Sequence, residues 1–269
     1  MNNNISKFDP NILHNLPFLP SKIRQKGFEI SRTFGKQKLT LKALETLNHL
    51  DLLTLFQLVK DYIENRSNYI EAGKLENFEV LKGHINLEKM VKERGLNNRK
   101  VNRETIWNSI YRFQSVDVEL SFLEAGVIRT RYIFQSITND EKNLYDCEVF
   151  INKRFFDFCV KNGIIIQIQR LFHYKSAYSI LLDVFIQGTK WSSYNEYLIW
   201  DRIGLNDTNL PKKEKRRIVR KSFREIKLVS GMDFKFCKNI KKWFGEFQLN
   251  TPLGNFNTPL GNFNTPINI

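Results

Sequence analysis

The sequence is poor in the residues that carry redox, metal and nucleophile chemistry. Its 269 residues include three cysteines, Cys147, Cys159 and Cys237. None forms a CxxC pair, which argues against a thiol-exchange motif or a zinc ribbon. Each has an aromatic or apolar neighbour nearby, the pattern of small buried thiols in a reducing compartment. The four histidines, His14, His49, His84 and His173, do not stand at metal-ligand spacing from one another or from a cysteine. No GxxxxGK[ST] phosphate loop, GxGxxG, GxSxG or HExxH is present, nor is a His-hydrophobe-His nickase pattern. Acids such as Asp201 and Asp207 are scattered, and Asp207 reads as a turn or cap. These absences predict a non-enzymatic protein with no catalytic residues, no metal and no cofactor.

Long apolar runs are also missing. A bilayer span needs about 18–20 consecutive apolar residues. The longest candidate, Gly163 to Phe172, is broken by Gln167, Gln169 and Arg170. The N-terminus, Met1-Asn2-Asn3-Asn4-Ile5, lacks the apolar core of a signal peptide. The expectation is a soluble, cytoplasmic protein with no membrane partner.

Acidic residues are scarce in one half. The chain carries 42 Lys and Arg against 28 Asp and Glu, a net charge of +14. Residues 1–150 hold 22 basic and 19 acidic side chains, whereas residues 151–269 hold 20 and 9. Such asymmetry points to a polyanionic partner, with nucleic acid first and an anionic membrane or acidic protein behind it. Hydrophobic residues make up 42%, including 22 Phe, enough for a sizeable core.

Periodicity divides the chain. Residues 1–37 carry Pro10, Pro17, Pro20 and Gly27 and read as an irregular N-terminal arm. Thr40 to Asn65 reads as helical, with a break near Asn48 and Asp51. Residues 66–84 read as a mixed connection. Asn86 caps a short helix that Gly95 stops, and a second helix runs from about Arg99 to Phe113, the outline of a helix-turn-helix. Strand-like segments follow at Val116 to Leu120, Val127 to Ile137 and Tyr145 to Ile151. The second half repeats that order. A linking helix covers Asn152 to Lys161 and a short strand Ile164 to Ile166. Helices cover Tyr174 to Gln187 and Tyr194 to Ile203, a long helix begins after Pro211, and strands lie near Phe234 to Phe236 and Trp243 to Leu249. The predicted fold class is α+β: tandem winged-helix domains at 38–150 and 151–249, each made of helices plus a small antiparallel sheet. In the tail, 250–269, Asn250 to Phe256 recurs word for word as Asn257 to Phe263; Pro and Gly in the unit make it a disordered repeat tail.

Residues 211–230 carry the functional argument. At about 100° per residue, Lys213, Arg217, Arg220, Arg224 and Lys227 share one arc of roughly 80°. Ile218, Val219, Ile226 and Val229 lie on the far side, with Phe223 at its edge. Leu228 does not fit, because it falls beside the basic arc. Lys212, Lys215, Arg216 and Lys221 add charge around the ridge. A charge run is usually a solvated face. This one follows a short helix with a glycine stop, the place of a recognition helix, and the DNA major groove accepts an α-helix. Arg99, Lys100, Arg103, Asn108 and Arg112 are weaker DNA-binding candidates on the first half's second helix. Lys238, Lys241 and Lys242 are candidates on a hairpin that follows a phosphate backbone. A regulator with the same geometry, or a basic protein docking on an acidic partner, would show the same residues.

Leu39 to Leu58, Ile85 to Phe113 and above all YKSAYSILLDVFIQGTKWSSYNEYLIWDRIGLNDTNLPKKEKRRIVRKSFREIKLVSG, from Tyr174 to Gly231, resemble plasmid replication initiators of the iteron-binding, two-winged-helix type. Ile203-Gly204-Leu205 matches the turn before the basic helix, and Cys147 to Phe158 resembles the strand and linking helix between the halves. The resemblance implies binding of double-stranded DNA at repeated origin sites, duplex opening, recruitment of host replication proteins, and conversion between a repressing homodimer and an initiating monomer. It places Lys213, Arg217, Arg220 and Arg224 on the principal recognition helix. The repeated tail departs from the family pattern.

Overall fold

Residues 5–20 and 26–34 are not an irregular arm but hold three elements that join the body. The computed structural model describes residues 5–20, 26–75, 77–122, 126–138 and 142–246; the predicted repeat tail lies outside them. Strand β1 (Ile5–Phe8) leads into helix α1 (Pro10–Asn15), whose first turn is set by Pro10 and by Asp9, which accepts a 2.7 Å hydrogen bond from the Asn11 amide. Phe8, Ile12 and Leu13 are buried. Strand β2 (Lys26–Phe34) follows. Prolines and asparagines punctuate this segment, but the apolar side chains between them belong to the core.

A second difference concerns residues 40–45. They belong to strand β3 (Gln37–Glu45), in which Leu39, Leu41 and Ala43 are buried at every second position. Helix α2 (His49–Glu64) starts only after the predicted break, where Asn48 and Asp51 form a reciprocal capping box. The segment read as a mixed connection is a hairpin of β4 (Ile70–Leu75) and β5 (Phe78–Asn86).

The rest of the first half follows the predicted order: α3 (Leu87–Glu93), α4 (Lys100–Phe113), β6 (Asp117–Phe122), β7 (Gly126–Thr130), β8 (Ile133–Ile137) and β9 (Asp146–Asn152). Asn86 caps α3 by accepting from the Lys89 amide, and Gly95 turns the chain at φ +68°. Helix α5 (Lys153–Asn162), strand β10 (Ile164–Gln167) and a single turn, α6 (Ile168–Leu171), lead into α7 (Ala177–Thr189). Then come β11 (Ser193–Asn195), α8 (Glu196–Arg202), α9 (Lys212–Ser230), β12 (Asp233–Cys237) and β13 (Lys242–Glu246).

The fold is α+β, and every pairing between these strands is antiparallel. One unit occurs twice: helix, strand, two helices, two strands. In the first half it is α2, β5, α3, α4, β8 and β9, with sheet order β4-β5-β9-β8. In the second it is α7, β11, α8, α9, β12 and β13, with sheet order β11-β13-β12. In both, the strand ahead of the helix pair lies against the last strand. The hairpin β6–β7 leaves the first unit to join β2 and β3 in a separate sheet, β2-β3-β6-β7. Strands β1 and β10 pair between the units.

One hydrophobic cluster runs through both units. Helix α1 meets α7 so closely that a Cβ on Gly188 would stand 2.7 Å from the Leu13 Cβ. Two buried arginines add polar ties. Arg202 of α8 donates to the carbonyls of His14 and Thr33, and Arg32 of β2 donates to those of Asn15, Leu16 and Arg202. Multidentate ties of this kind satisfy a guanidinium taken out of water. They fix α8, and with it α9, to the N-terminal segment.

Candidate nucleic-acid interface

Helix α9 owes its orientation to one apolar stripe. Val219, Ser222, Phe223 and Ile226 are buried. Phe223 stacks on Phe234 with ring centres 4.4 Å apart and packs on Trp243 at 4.6 Å, so the helix rests on the β12–β13 hairpin. Glu225 turns back to α7, accepting from the Lys175 amide and the Ser179 hydroxyl, both at 2.5 Å. Gly231, at φ +76°, ends the helix in the left-handed conformation that glycine adopts without strain.

The opposite face is cationic, but its members differ. Lys213, Arg220, Lys221 and Arg224 are exposed there, Lys212 is exposed at the helix start on the stripe's own side, and no carboxylate among the described residues reaches any of them. Arg217 is outward-facing too, yet grips Glu214 through its Nε and Nη2 at 2.5–2.9 Å. That contact holds the Glu214 carboxyl below its usual range and the guanidinium above its own. Lys227 pairs with Asp233 at 2.6 Å. Arg216 departs from the sequence reading. It makes a two-point contact at 2.5 and 3.0 Å with the fully buried Glu196 of α8, and its guanidinium lies 5.7 Å from the Phe236 ring centre. It braces α8, α9 and β12 together.

The hairpin adds a second group of cations. Lys238, Asn239, Ile240, Lys241 and Lys242 are all exposed. The turn sits beside the start of α8: the Glu196 amide donates to the Lys241 carbonyl at 3.0 Å, and the Lys241 ammonium lies 5.8 Å from the Tyr197 ring centre. Sequence reasoning passed over Tyr197, which is half exposed here; its place just after the cap residue Asn195 was the available signal. Since Arg216 touches Phe236, this turn and the first part of α9 lie at the same end of the second unit.

Helix α4 occupies the matching place in the first unit and is built differently. Arg103 points inward, donating to the Asn143 and Asn98 carbonyls, with its guanidinium 4.6 Å from the Tyr145 ring centre. Arg112 donates to the fully buried Asp51 of α2 at 2.6 and 3.1 Å. Both predicted contact residues are internal ties. Lys100 is 3.7 Å from Glu104, and Lys100, Val101, Asn108 and Tyr111 are exposed together. This outer face is mixed rather than basic; Arg99, just ahead of it, is exposed.

Among the described residues no group of three or more His, Cys, Asp or Glu is placed to hold a metal ion, and no helix is long and apolar enough to cross a membrane. An open cleft of about 470 Å³ lies beside α5, lined by Phe78, Glu79, Lys153, Arg154, Asp157 and Lys161. Its Lys153 is held at 3.1 Å by both Glu71 and Glu79.

The sequence matches no protein-family model and no curated protein. Solved structures do match. A crystal structure of selenomethionine derivatives of domains 2 and 3 of RctB superposes with a TM-score of 0.62 at 12% identity, covering 89% of this chain and 98% of that one. A second crystal structure, of RctB domains 2–3 (RctB-155-483), gives 0.56 at 12% identity, covering 88% and 95%. At that identity the likeness concerns the fold, and it extends over both units.

Proposed function

We propose that this chain is a replication initiator that binds double-stranded DNA in a sequence-specific manner. The observation that carries the reading is the outward face of α9, where four exposed cations, Lys213, Arg220, Lys221 and Arg224, lack carboxylate partners among the described residues. Lysine and arginine neutralise phosphates, and arginine also reaches guanine edges from the major groove. The repeated unit has the strand and helix order of a winged helix, with α8–α9 as the helix pair and β12–β13 as the wing. The likeness to domains 2 and 3 of RctB, a replication initiator of chromosome II in Vibrio, supports the same role. In this reading the two units sit on successive faces of a directly repeated origin site, with α9 in the major groove and Lys238, Lys241 and Lys242 along the adjacent backbone. The protein acts without catalysis or cofactor, in the cytoplasm, on a plasmid-type origin, with host replication proteins as partners and a homodimer as its repressing form.

A footprint on DNA flanking the coding region tests the role. Initiation predicts protection of several tandem repeats and single-strand sensitivity in a neighbouring A·T-rich segment. A single protected promoter-proximal site without melting would make the protein a regulator instead.

A further inference from the structure

Leu228 is 86% exposed, more than any other large apolar side chain among the described residues. A lone surface leucine needs no explanation by itself. This one stands on the cationic face of α9, four residues beyond Arg224 and seven beyond Lys221, so the three side chains form one row along the helix. Every other apolar side chain of α9 is at least partly withdrawn: Val219, Phe223 and Ile226 are buried, and Ile218 and Val229 are partly so. The helix just before Leu228 is anchored by buried Ile226 and by Lys227, which is pinned to Asp233 at 2.6 Å. An apolar tip is therefore presented at a fixed place among unpaired cations.

A duplex matches that combination. The major groove is lined by acceptors, the amino donors of adenine and cytosine, and flanking phosphates, and its apolar feature is the C5-methyl group of thymine. We propose that Leu228 is a specificity-determining residue that reads a thymine methyl beside the base pair reached by Arg224. The inference rests on the duplex-binding role of α9. Side chains four apart on a helix have Cβ atoms about 5–6 Å apart, and base pairs rise about 3.4 Å. The thymine thus lies within about two base pairs of Arg224's contact. A protein or membrane surface fits this row less well, since it would have to cover Leu228 while accommodating the exposed, uncompensated charges of Lys221 and Arg224.

The test uses a duplex selected from a random pool by the full chain, with each thymine replaced in turn by deoxyuridine, which removes only the methyl group. At one position the wild type is expected to lose about fourfold in affinity, the worth of one buried methylene-sized group. Leu228→Ala and Leu228→Gln should bind the thymine and uracil duplexes equally at that position. Unchanged thymine sensitivity in both variants overturns the proposal. So does a change in oligomeric state on Leu228→Ala with no change in duplex affinity, which would assign the residue to a protein contact. Failure of the underlying role reads differently: Arg220→Ala with Arg224→Ala would then bind the selected duplex like the wild type.

Discussion

Asp9 caps α1 from a buried position, and burial pushes its carboxyl up to about 6 from 3.8, against the amide hydrogen bonds from Asn11 and Ile12 that pull it down. The sign of the consequence is fixed by linkage. Below pH 3.8 the group is protonated in folded and unfolded chains alike. As pH rises through the interval up to about 6, the folded chain retains a proton that the unfolded chain has lost, so stability falls, and above that interval the loss is complete. Asn also caps helices well and carries no charge. Asp9→Asn is therefore expected to melt close to the wild type at pH 4 and above it at pH 8, measured by thermal denaturation. A pH-independent difference, or a less stable variant at pH 8, would contradict this account. Some single-residue signals were legible: Asn48 with Asp51, Asn86 and Gly95 act as caps and stops as their residue types require. The inward turn of Arg103 and Arg112 was not legible, because their partners, Asn143 and Asp51, lie 40 and 61 residues away in the chain.

Helices α4 and α9 hold the same place in the repeated unit but use arginine in opposite ways. In α9 the guanidiniums of Arg220 and Arg224 face solvent. In α4, Arg112 neutralises Asp51, whose side chain is fully buried. Removing one member of a buried pair strands the other charge, at a cost on the order of 3 kcal/mol. Arg112→Ala should thus lower stability by about that amount in urea denaturation and leave duplex affinity within about twofold when measured well below the melting transition. A variant of normal stability with much weaker duplex binding would show instead that Arg112 reads DNA. At this scale, long helices with caps were predicted well and the strands of the first half less so. Leu41, Leu44 and Leu47 repeat at helical spacing, yet Leu44 is 71% exposed, while Leu39, Leu41 and Ala43 alternate inward on β3. Short apolar segments satisfy both periods, and pairing with β2 and β6 decides between them.

In the whole molecule, the uneven charge of the sequence finds a structural counterpart. The second unit presents exposed cations on α9 and on the β12–β13 turn, while the outer face of α4 in the first unit is mixed. The tie between the halves was invisible in sequence. Arg32 and Arg202 are 170 residues apart and meet only in the folded chain. The periodic pattern of residues 211–230 was visible because a helix with one buried stripe must repeat every 3.6 residues.

The most direct measurement is fluorescence anisotropy of a selected duplex over a salt series, comparing the wild type with Arg220→Ala, Arg224→Ala. Each cation that neutralises a phosphate contributes about −0.9 to the slope of log affinity against log salt. The double variant should melt like the wild type, bind at least about tenfold more weakly at low salt, and show a slope shallower by about 1.8. An equally stable variant with unchanged affinity and slope would contradict the assignment of α9 as the DNA-binding helix.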